Sequence, residues 1–357
     1  MHCCHGPVHS PFHCFVPPHV LDRLAQSGDP QMRARVIDTI ARSSAARSTR
    51  EVLRTMPIMA AIPSPGRRKH RLIYDMQRRE FGLPGTLVRS EGEEEDGADE
   101  SVNNAYRFSG ITFDCYEEFF GRNSLDGNGM TLISSVHFGD GISNAFWNGE
   151  QMLYGDGDGH IFLDFTRSLE VVAHELTHGV IMYTANLEYQ DESGALNESF
   201  ADVMSAVIEQ RHRGQSVTEA GWLMGDELIG PDIQAEAFRT FKEGPAYEND
   251  PVLGTDPQTK HYDDIYRGPR DNGGVHINSG IANHAFYTTA MELGGNSWDK
   301  AGPIWYRTLL ALHPQANFAE CAAMCHIVAG QLYGSGSLEQ QAVAKGWAKV
   351  GLAVETV

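Results

Sequence analysis

The chain has 357 residues, of which 41% are hydrophobic and 21% charged, and its formal net charge is −19. No apolar run approaches the ~20 residues that a membrane-spanning helix needs, so we expect no membrane insertion. The strong negative charge argues against nucleic acid as a partner, because phosphate binding needs a basic surface. With 16 Phe, 12 Tyr and 5 Trp, the chain has enough aromatic residues to bury a core, which excludes a disordered protein.

The first part of the chain differs from the rest in charge. Residues 1–80 carry 13 Lys and Arg against 6 Asp and Glu, whereas residues 81–357 carry 15 against 41. Opposite charges attract two parts of one chain, although a solvated basic tail would show the same imbalance. The chain starts with MHCCHGPVHSPFHCFVPP, which lacks the charged and apolar regions of a secretory signal. We therefore expect synthesis in the cytoplasm, with any export by a route other than Sec.

Residues 1–60 are interpreted as a short N-terminal segment with helical character. Asp29 stands where a helix N-cap belongs, and Pro30 follows at the first helical position. Residues 61–71 combine Pro, Gly and a basic run, which predicts an exposed linker that proteases can cut.

The remaining chain divides into two parts by its residue pattern. Residues 72–167 show short apolar runs separated by Asp-Gly and other Gly-rich steps, which is typical of strands and turns. Residues 168–357 show mainly helical periodicity. Strands followed by helices predict an α+β protein with a β-rich lobe and a helical lobe.

The strongest chemical signal is the HELTH motif, which begins at His174. On an α-helix His174 and His178 lie on one face. They can therefore bind one metal ion, with Glu175 beside it to take a proton from the attacking water. A catalytic zinc needs a third protein ligand, and Glu198 is the candidate on the next helix. Asp202, one turn further on, can accept a hydrogen bond from the outer ring nitrogen of a zinc-bound histidine.

A second cluster, DNGGVHINSG, spans residues 271–280. Its glycines permit a tight turn that brings His276 to a cleft at the start of a helix, where Asp271 could keep the imidazole charged and donating. Such a histidine suits the stabilisation of an oxyanion. A histidine that only caps the helix is the alternative.

With these motifs, the sequence resembles the thermolysin family of zinc metalloendopeptidases. The matching stretches run from about Leu72 to the C-terminus and comprise NAFWNG at 144–149, GDGDG at 155–159, the HELTH helix, YQDESGALNESFAD at 189–202 and DNGGVHINSG. The N-terminal VPPHVLDRLA, at 16–25, resembles the short propeptide of protealysin-like members. The resemblance implies an active-site cleft between two lobes. It also implies a zymogen in which residues 1–60 inhibit the enzyme and residues 61–71 are cut.

The resemblance implies a role for each site residue. One zinc ion would bind to His174, His178 and Glu198. Catalysis would involve Glu175 as general base, His276 and Tyr189 as oxyanion donors, and Asp271 as the group that orients His276. The zinc-binding side chains would be oriented by Asn197 and Asp202. The substrate main chain would be bound by Asn144, the backbone of Ala145, and Arg239.

A pocket behind the zinc would receive the residue after the scissile bond. The resemblance implies that it is lined by Phe162, Phe165, Val171, Met224 and Phe238. Since Phe165 and Phe238 are bulkier than the leucines usual there, we predict a preference for an apolar residue and a shallower pocket than usual.

Calcium binding is expected to be reduced in comparison with the family. Glu170, Glu209 and Asp226 match acidic positions of its paired calcium site, but Gly221 and Leu223 stand where acids are expected. Because Ca²⁺ prefers six to eight oxygen ligands, we expect at most one calcium ion.

Two other functions stay open at this level. A zinc-bound binding or inhibitory module would share the fold without turnover, and an aminopeptidase would need an acidic anchor for the substrate amine. A further hypothesis places Cys14 on the zinc in the latent form. The expected partners are peptide and protein substrates and the chain's own propeptide in cis, and the protein is expected to be a monomer.

Overall fold

The computed structural model describes residues 15–26, 29–55, 69–95, 97 and 99–354. The described part of the chain starts with two helices and continues into a half that contains a five-stranded sheet. Its elements there are α1 (Pro18–Leu24), α2 (Pro30–Thr55), β1 (Arg71–Asp75), β2 (Thr86–Ser90), α3 (Glu100–Phe120), β3 (Leu132–Val136), β4 (Ala145–Trp147) and β5 (Met152–Tyr154). The second half is mainly helical. Its elements are α4 (Leu169–Met182), α5 (Asp191–Arg213), β6 (Leu223–Met224), β7 (Arg239–Thr240), α6 (Asp271–Leu293), α7 (Ala301–Leu309), α8 (Phe318–Tyr333) and α9 (Leu338–Lys349).

The sheet is mixed and has the strand order β2-β1-β3-β5-β4. Strand β3 runs parallel to both β1 and β5, whereas β2 and β4 pair antiparallel with their neighbours. Strand β4 therefore forms one edge of the sheet, and β2 forms the other. The predicted α+β class, with a sheet-containing half before a helical half, is confirmed.

Helix α3 lies inside the region where the residue pattern predicted mainly strands and turns. The Asp99 carboxylate caps its start by accepting hydrogen bonds from the backbone N–H groups of Ser101 and Val102, and Gly121 ends it with a left-handed φ of 64°. Both signals are typical helix boundaries. The prediction of mainly strands and turns is therefore wrong for Glu100–Phe120, which form one helix.

Helix α4 carries the HELTH motif and joins the two halves. It packs against α3 and β4 on one side and against α5 on the other, and every residue from Leu169 to Ile181 is buried. Ser168 caps its start. Because a helix buried on all sides cannot fray into solvent, it holds its side chains at fixed positions between the halves.

The N-terminal helices lie against both halves of the molecule. Helix α2 starts at Pro30 after the predicted cap Asp29, whose carboxylate accepts a hydrogen bond from the Gln31 N–H at 3.0 Å. It packs on β4, while α1 packs on α6. The residues before α1, Phe15 and Val16, are fully buried. In the described part of the chain, no helix combines the length and apolar character needed to cross a bilayer.

Candidate active site

Two histidines and a glutamate meet in the interior where α4 packs on α5. The Nε2 atoms of His174 and His178 lie 3.1 Å apart. One carboxylate oxygen of Glu198 lies 3.5 Å from the His174 Nε2, and the other lies 3.5 Å from the His178 Nε2. Among the described residues, this trio is the only group of three His, Cys, Asp or Glu side chains whose ligand atoms all lie within 4.8 Å of one another.

The outer nitrogens of both imidazoles face polar side chains. The Nδ1 of His178 is 2.8 Å from the Asn197 Oδ1, and the Nδ1 of His174 is 2.9 Å from the Asp202 Oδ1. An N–H on each Nδ1 leaves the Nε2 lone pairs directed at a common point, as metal-binding histidines require. Two imidazoles and one carboxylate are also the donor types that zinc prefers, so the trio fits a zinc ion.

Two of the three ligands, His178 and Glu198, are in the protonation states that bind a metal ion. Burial holds the pKa of His178 well below its usual range, which keeps the imidazole neutral. Burial alone would raise the pKa of Glu198, but the neighbouring imidazoles outweigh it and hold that pKa well below its usual range. A neutral imidazole and an ionised carboxylate are the forms that bind metal.

Glu175 is fully buried beside the trio, on the side that faces the sheet. Its Oε2 accepts a hydrogen bond from the backbone N–H of Trp147, on strand β4, at 2.9 Å. Burial raises the pKa of Glu175, and the positive charges of His174 and Arg50 offset part of that rise. A carboxylate with a raised pKa is a stronger base, which suits proton transfer near neutral pH. Neither the backbone contact nor Arg50 was predicted from the sequence.

His276 reaches the trio from the start of α6, and its Nε2 lies 3.6 Å from a Glu198 carboxylate oxygen. Asn272, Gly273 and Gly274 adopt left-handed φ values of 48°, 81° and 89°, which provides the turn that the glycines predicted. Asp271 accepts hydrogen bonds from both the backbone N–H and the ring of His276, with the Nδ1 2.7 Å from its Oδ1. Burial lowers the pKa of His276, but the carboxylates of Asp271 and Glu198 outweigh it and raise that pKa.

Tyr189 stands between His276 and the metal-binding trio. Its hydroxyl donates a hydrogen bond to Glu198 and lies 3.3 Å from the Nε2 of His276. Two groups able to donate hydrogen bonds therefore face the same small space beside the trio. Such a pair can stabilise negative charge that develops on a substrate oxygen.

Asp202 connects the metal-binding trio to Arg239. Besides its contact with His174, its carboxylate accepts bonds from the Arg239 Nε and Nη2 at 3.2 and 2.8 Å, and from the Asn283 Nδ2 at 2.9 Å. All four side chains are buried. The role of Asn283 was missed, because an isolated Asn inside a helix carries no sequence signal for a contact with another helix.

Five apolar side chains were predicted to line a pocket behind the zinc. All five side chains predicted to line it are buried, namely Phe162, Phe165, Val171, Met224 and Phe238. The rings of Phe162 and Phe238 stack with centroids 5.5 Å apart, and Phe165 packs on Phe162 at 6.0 Å. At Gly225, a Cβ would come within 3 Å of both Phe238 and Phe15.

Phe15, in the N-terminal segment, lies near Phe238, since both rings approach Gly225. Its ring packs edge-on against His174 with centroids 5.4 Å apart, and the Arg239 guanidinium carbon lies 4.7 Å from the ring centre. The Arg239 Nη1 donates a hydrogen bond to the Phe15 carbonyl at 2.7 Å, and the Val16 N–H donates to the Asn144 Oδ1 at 3.1 Å. Phe15 and Val16 therefore bind the groups that the resemblance assigns to a substrate main chain.

Helix α2 covers the start of strand β4. The Ser143 N–H donates to the Thr39 Oγ1 at 3.2 Å, and the Asn144 Nδ2 donates to the Ser43 Oγ at 3.4 Å. The Asn144 Oδ1 also accepts from the Ala145 N–H at 3.0 Å. Polar side chains of the N-terminal helix thus occupy hydrogen-bonding groups at this edge of the sheet.

The acidic residues that matched a calcium site, Glu170, Glu209 and Asp226, lie near one another. The Glu170 Oε2 accepts a hydrogen bond from the Gly225 N–H at 2.7 Å, and the Arg213 Nη2 lies 2.8 Å from Glu209 and 3.0 Å from Glu227. Burial and the Glu209 carboxylate raise the pKa of Glu170 well above its usual range. The Arg213 guanidinium partly neutralises the negative charge of these carboxylates. The expectation of at most one calcium ion stays a prediction.

The hypothesis about Cys14 concerns a residue outside the described part of the chain.

Together, a mixed sheet, a helical half and a buried His-His-Glu trio at their junction define a metal-dependent hydrolase. The family model for the thermolysin metallopeptidase catalytic domain matches residues 65–182, and the model for the thermolysin metallopeptidase alpha-helical domain matches residues 185–352. The chain belongs to the thermolysin metallopeptidase family.

Three relatives and one solved structure illustrate the similarity. Protease PrtS of Photorhabdus sp. (strain Az29) is 52% identical over 68% of this chain and 65% of its own length. The extracellular metalloprotease of Pectobacterium carotovorum subsp. carotovorum is 43% identical over 82% of this chain and 83% of its own. The precursor of protealysin, a metalloproteinase from Serratia proteamaculans, superposes with a TM-score of 0.86 at 39% identity, covering 96% of this chain and 100% of that structure. Thermolysin of Alicyclobacillus acidocaldarius subsp. acidocaldarius is 39% identical, but the match spans 50% of its length.

Proposed function

We propose that this protein is a zinc-dependent endopeptidase made as a zymogen. The observation that carries the proposal is the buried Glu175 carboxylate next to the trio of His174, His178 and Glu198. The His276 Nε2 lies 3.6 Å from the Glu198 carboxylate of the same trio. A module that only binds would need neither the base nor the oxyanion donors. The similarity to enzymes named as proteases supports the same function.

Each residue of the site has a defined task in peptide hydrolysis. Zinc held by the trio would supply Lewis-acid chemistry, polarising the scissile carbonyl and making the attacking water more acidic. Glu175 takes a proton from that water and later gives it to the leaving amine. His276 and Tyr189 donate hydrogen bonds to the oxyanion that develops on the carbonyl oxygen. Asp271 keeps the His276 ring protonated and oriented.

We expect Asp202→Asn to weaken zinc binding by about 10–100-fold, because the carboxylate that orients His174 is lost. Competition with a zinc-binding dye would measure the affinity. Asp232→Asn, at an exposed aspartate, is the matched control and should bind zinc as the wild type does. An unchanged affinity in Asp202→Asn would show that His174 does not depend on this contact.

The substrate preference follows from the aromatic pocket. We expect hydrolysis to be fastest when an apolar residue follows the scissile bond, because Phe162, Phe165 and Phe238 give the pocket an apolar wall. A set of blocked peptides that differ only at that residue, with Phe, Leu, Ala and Asp, would measure kcat/KM. A flat profile across apolar and charged residues would refute the preference. Comparison with unblocked peptides would separate an endopeptidase from an aminopeptidase, which needs the free amine.

The zymogen proposal assigns residues 1–60 to an inhibitory propeptide and 61–71 to the processing region. The catalytic part would comprise a β-rich lobe over 72–167 and a helical lobe over 168–357. Support comes from Phe15 and Val16, which bond to Arg239 and Asn144 in the cleft. Substrate cannot use these groups until the segment leaves. The proposal also takes the protein to act as a monomer on peptides and proteins.

A further inference from the structure

Helix α1 presents two polar side chains, one turn apart, to a loop of the helical half. The His19 Nε2 lies 2.8 Å from the Tyr247 hydroxyl, and the Arg23 Nε donates a hydrogen bond to the Val252 carbonyl at 2.8 Å. Gly254 lies under the Arg23 guanidinium, where a Cβ would come within 3.1 Å of it. These contacts join the proposed propeptide to the loop over residues 246–256.

This loop is held in one conformation by buried carboxylates. Asp250 accepts hydrogen bonds from four backbone N–H groups at 2.7–3.0 Å, those of Gln234, Ala235, Val252 and Leu253. Asp256 accepts two more, from Ala246 and Gln258. Tyr247, between them, is 5% exposed. The loop therefore offers His19 a fixed surface that cannot rearrange easily around a new charge.

We propose that His19 is a pH-sensitive latch, which holds the propeptide on the helical half when its imidazole is neutral and releases it as the imidazole becomes charged. This proposal rests on the zymogen function proposed above. Neither the zinc ligands nor Glu175 take part in it, and His19 contacts none of them among the described contacts.

Burial and the charges around His19 determine whether docking of α1 strengthens or weakens as the pH falls. Burial is the largest influence and lowers the pKa of His19 to about 4. The carboxylates of Asp256 and Asp271 act to raise the pKa, and the positive charges of His276 and Arg239 act to lower it. Once α1 has left the loop, His19 regains an ordinary pKa of about 6.5. Docking is therefore at full strength above pH 6.5 and weakens as the pH falls from 6.5 towards 4.

The size of the effect follows from the two pKa values. At pH 5.5 a free histidine with a pKa of about 6.5 is about ten times more often protonated than neutral, while the docked one, with a pKa of about 4, stays neutral. Opening of α1 should therefore be about tenfold more favourable at pH 5.5 than at pH 7.5.

Hydrogen exchange tests the latch without any catalysis. The parent is the full-length Glu175→Gln chain, which should not trim itself, and the comparison is the same chain with His19→Gln. Exchange of the amides of residues 19–25 is measured by mass spectrometry at pH 7.5 and 5.5. Because the intrinsic exchange rate changes equally in both chains, the ratio of their protection isolates His19. We expect protection in the parent to fall about tenfold relative to the His19→Gln chain between the two pH values.

Two further variants make the result specific. His313→Gln changes an exposed histidine far from α1 in the sequence and should follow the parent at both pH values. Tyr247→Phe keeps the titrating group but removes its partner, so it should lower protection at pH 7.5 and retain the pH dependence. If His19→Gln leaves α1 undocked at every pH, the Tyr247→Phe chain still allows the pH dependence of docking to be measured. A protection ratio that does not change with pH, or a pH dependence that disappears in Tyr247→Phe, would overturn the latch. Since no peptide is cleaved, failure of the latch is distinct from failure of the proposed peptidase activity.

Discussion

Glu175→Gln should lower kcat/KM for a blocked apolar peptide by about 10²–10⁴-fold, the range typical for the loss of a general base. Gln cannot accept the proton of the attacking water, although its amide oxygen can still accept the hydrogen bond from the Trp147 N–H. Zinc content should stay the same, because Glu175 is not among the three residues of the metal-binding trio. A mass-spectrometric time course of the full-length chain would follow peptide cleavage and N-terminal trimming together. We expect the wild type to do both and the variant to do neither.

The control for this experiment is Glu243→Gln, which makes the same chemical change at an exposed glutamate. It should trim and cleave at the wild-type rate. A Glu175→Gln chain that retains wild-type activity would contradict the assigned base. If the wild type and the variant both stay intact and inert with zinc bound, either an outside protease activates the zymogen or the binding-module function gains support. Adding a trypsin-like protease, which can cut the basic run in residues 61–71, would separate these two outcomes.

His276→Gln should lower kcat by about 10²–10³-fold, the usual cost of removing one donor to an oxyanion. KM should change much less, because the lost hydrogen bond is strongest in the transition state. Steady-state kinetics on the same blocked peptide would give both constants. Equal losses in kcat and substrate affinity would instead indicate that His276 serves mainly to bind the substrate.

Asp271→Asn tests how His276 is kept charged. The Asp271 carboxylate helps to raise the pKa of His276, so its removal should lower that pKa. Activity requires the protonated ring and is lost as the pH rises through this pKa, and the alkaline limb of the pH–rate profile should therefore move to lower pH. Asp263→Asn, at an exposed aspartate, should leave the limb in place. An unshifted limb in Asp271→Asn would contradict the proposed role.

Local residue patterns were sufficient to predict the chemical groups of the site, but not the residues that surround and contact them. The spacing of His174, Glu175 and His178 fixes their positions on any α-helix, so the sequence was sufficient to predict two ligands and a base. Glu198 could be proposed because one short connection leads from α4 to the next helix. The turn before His276 was also predictable, since the consecutive glycines favour left-handed φ values.

The contacts that connect distant parts of the chain were not predictable in this way. Arg239 and Asn283 reach Asp202 from elements 37 and 81 residues away in the sequence. Helix α3 was missed altogether, although its cap at Asp99 and its end at Gly121 are local signals. Phe15 was not predicted as a contact, because a phenylalanine two residues before a pair of prolines carries no local sign that it will meet His174 and Arg239.

The sequence by itself determined the α+β class and the His-His-Glu trio, and it predicted Glu175 as the general base. These follow from periodicity and from spacing within one or two helices. Tertiary structure alone decided that Phe15 packs against His174 and bonds to Arg239, that Trp147 bonds to Glu175, and that His19 meets Tyr247. Such contacts join residues up to 228 positions apart. They depend on how whole helices and strands pack, and packing is set by the shape of the complete core, which no local pattern contains.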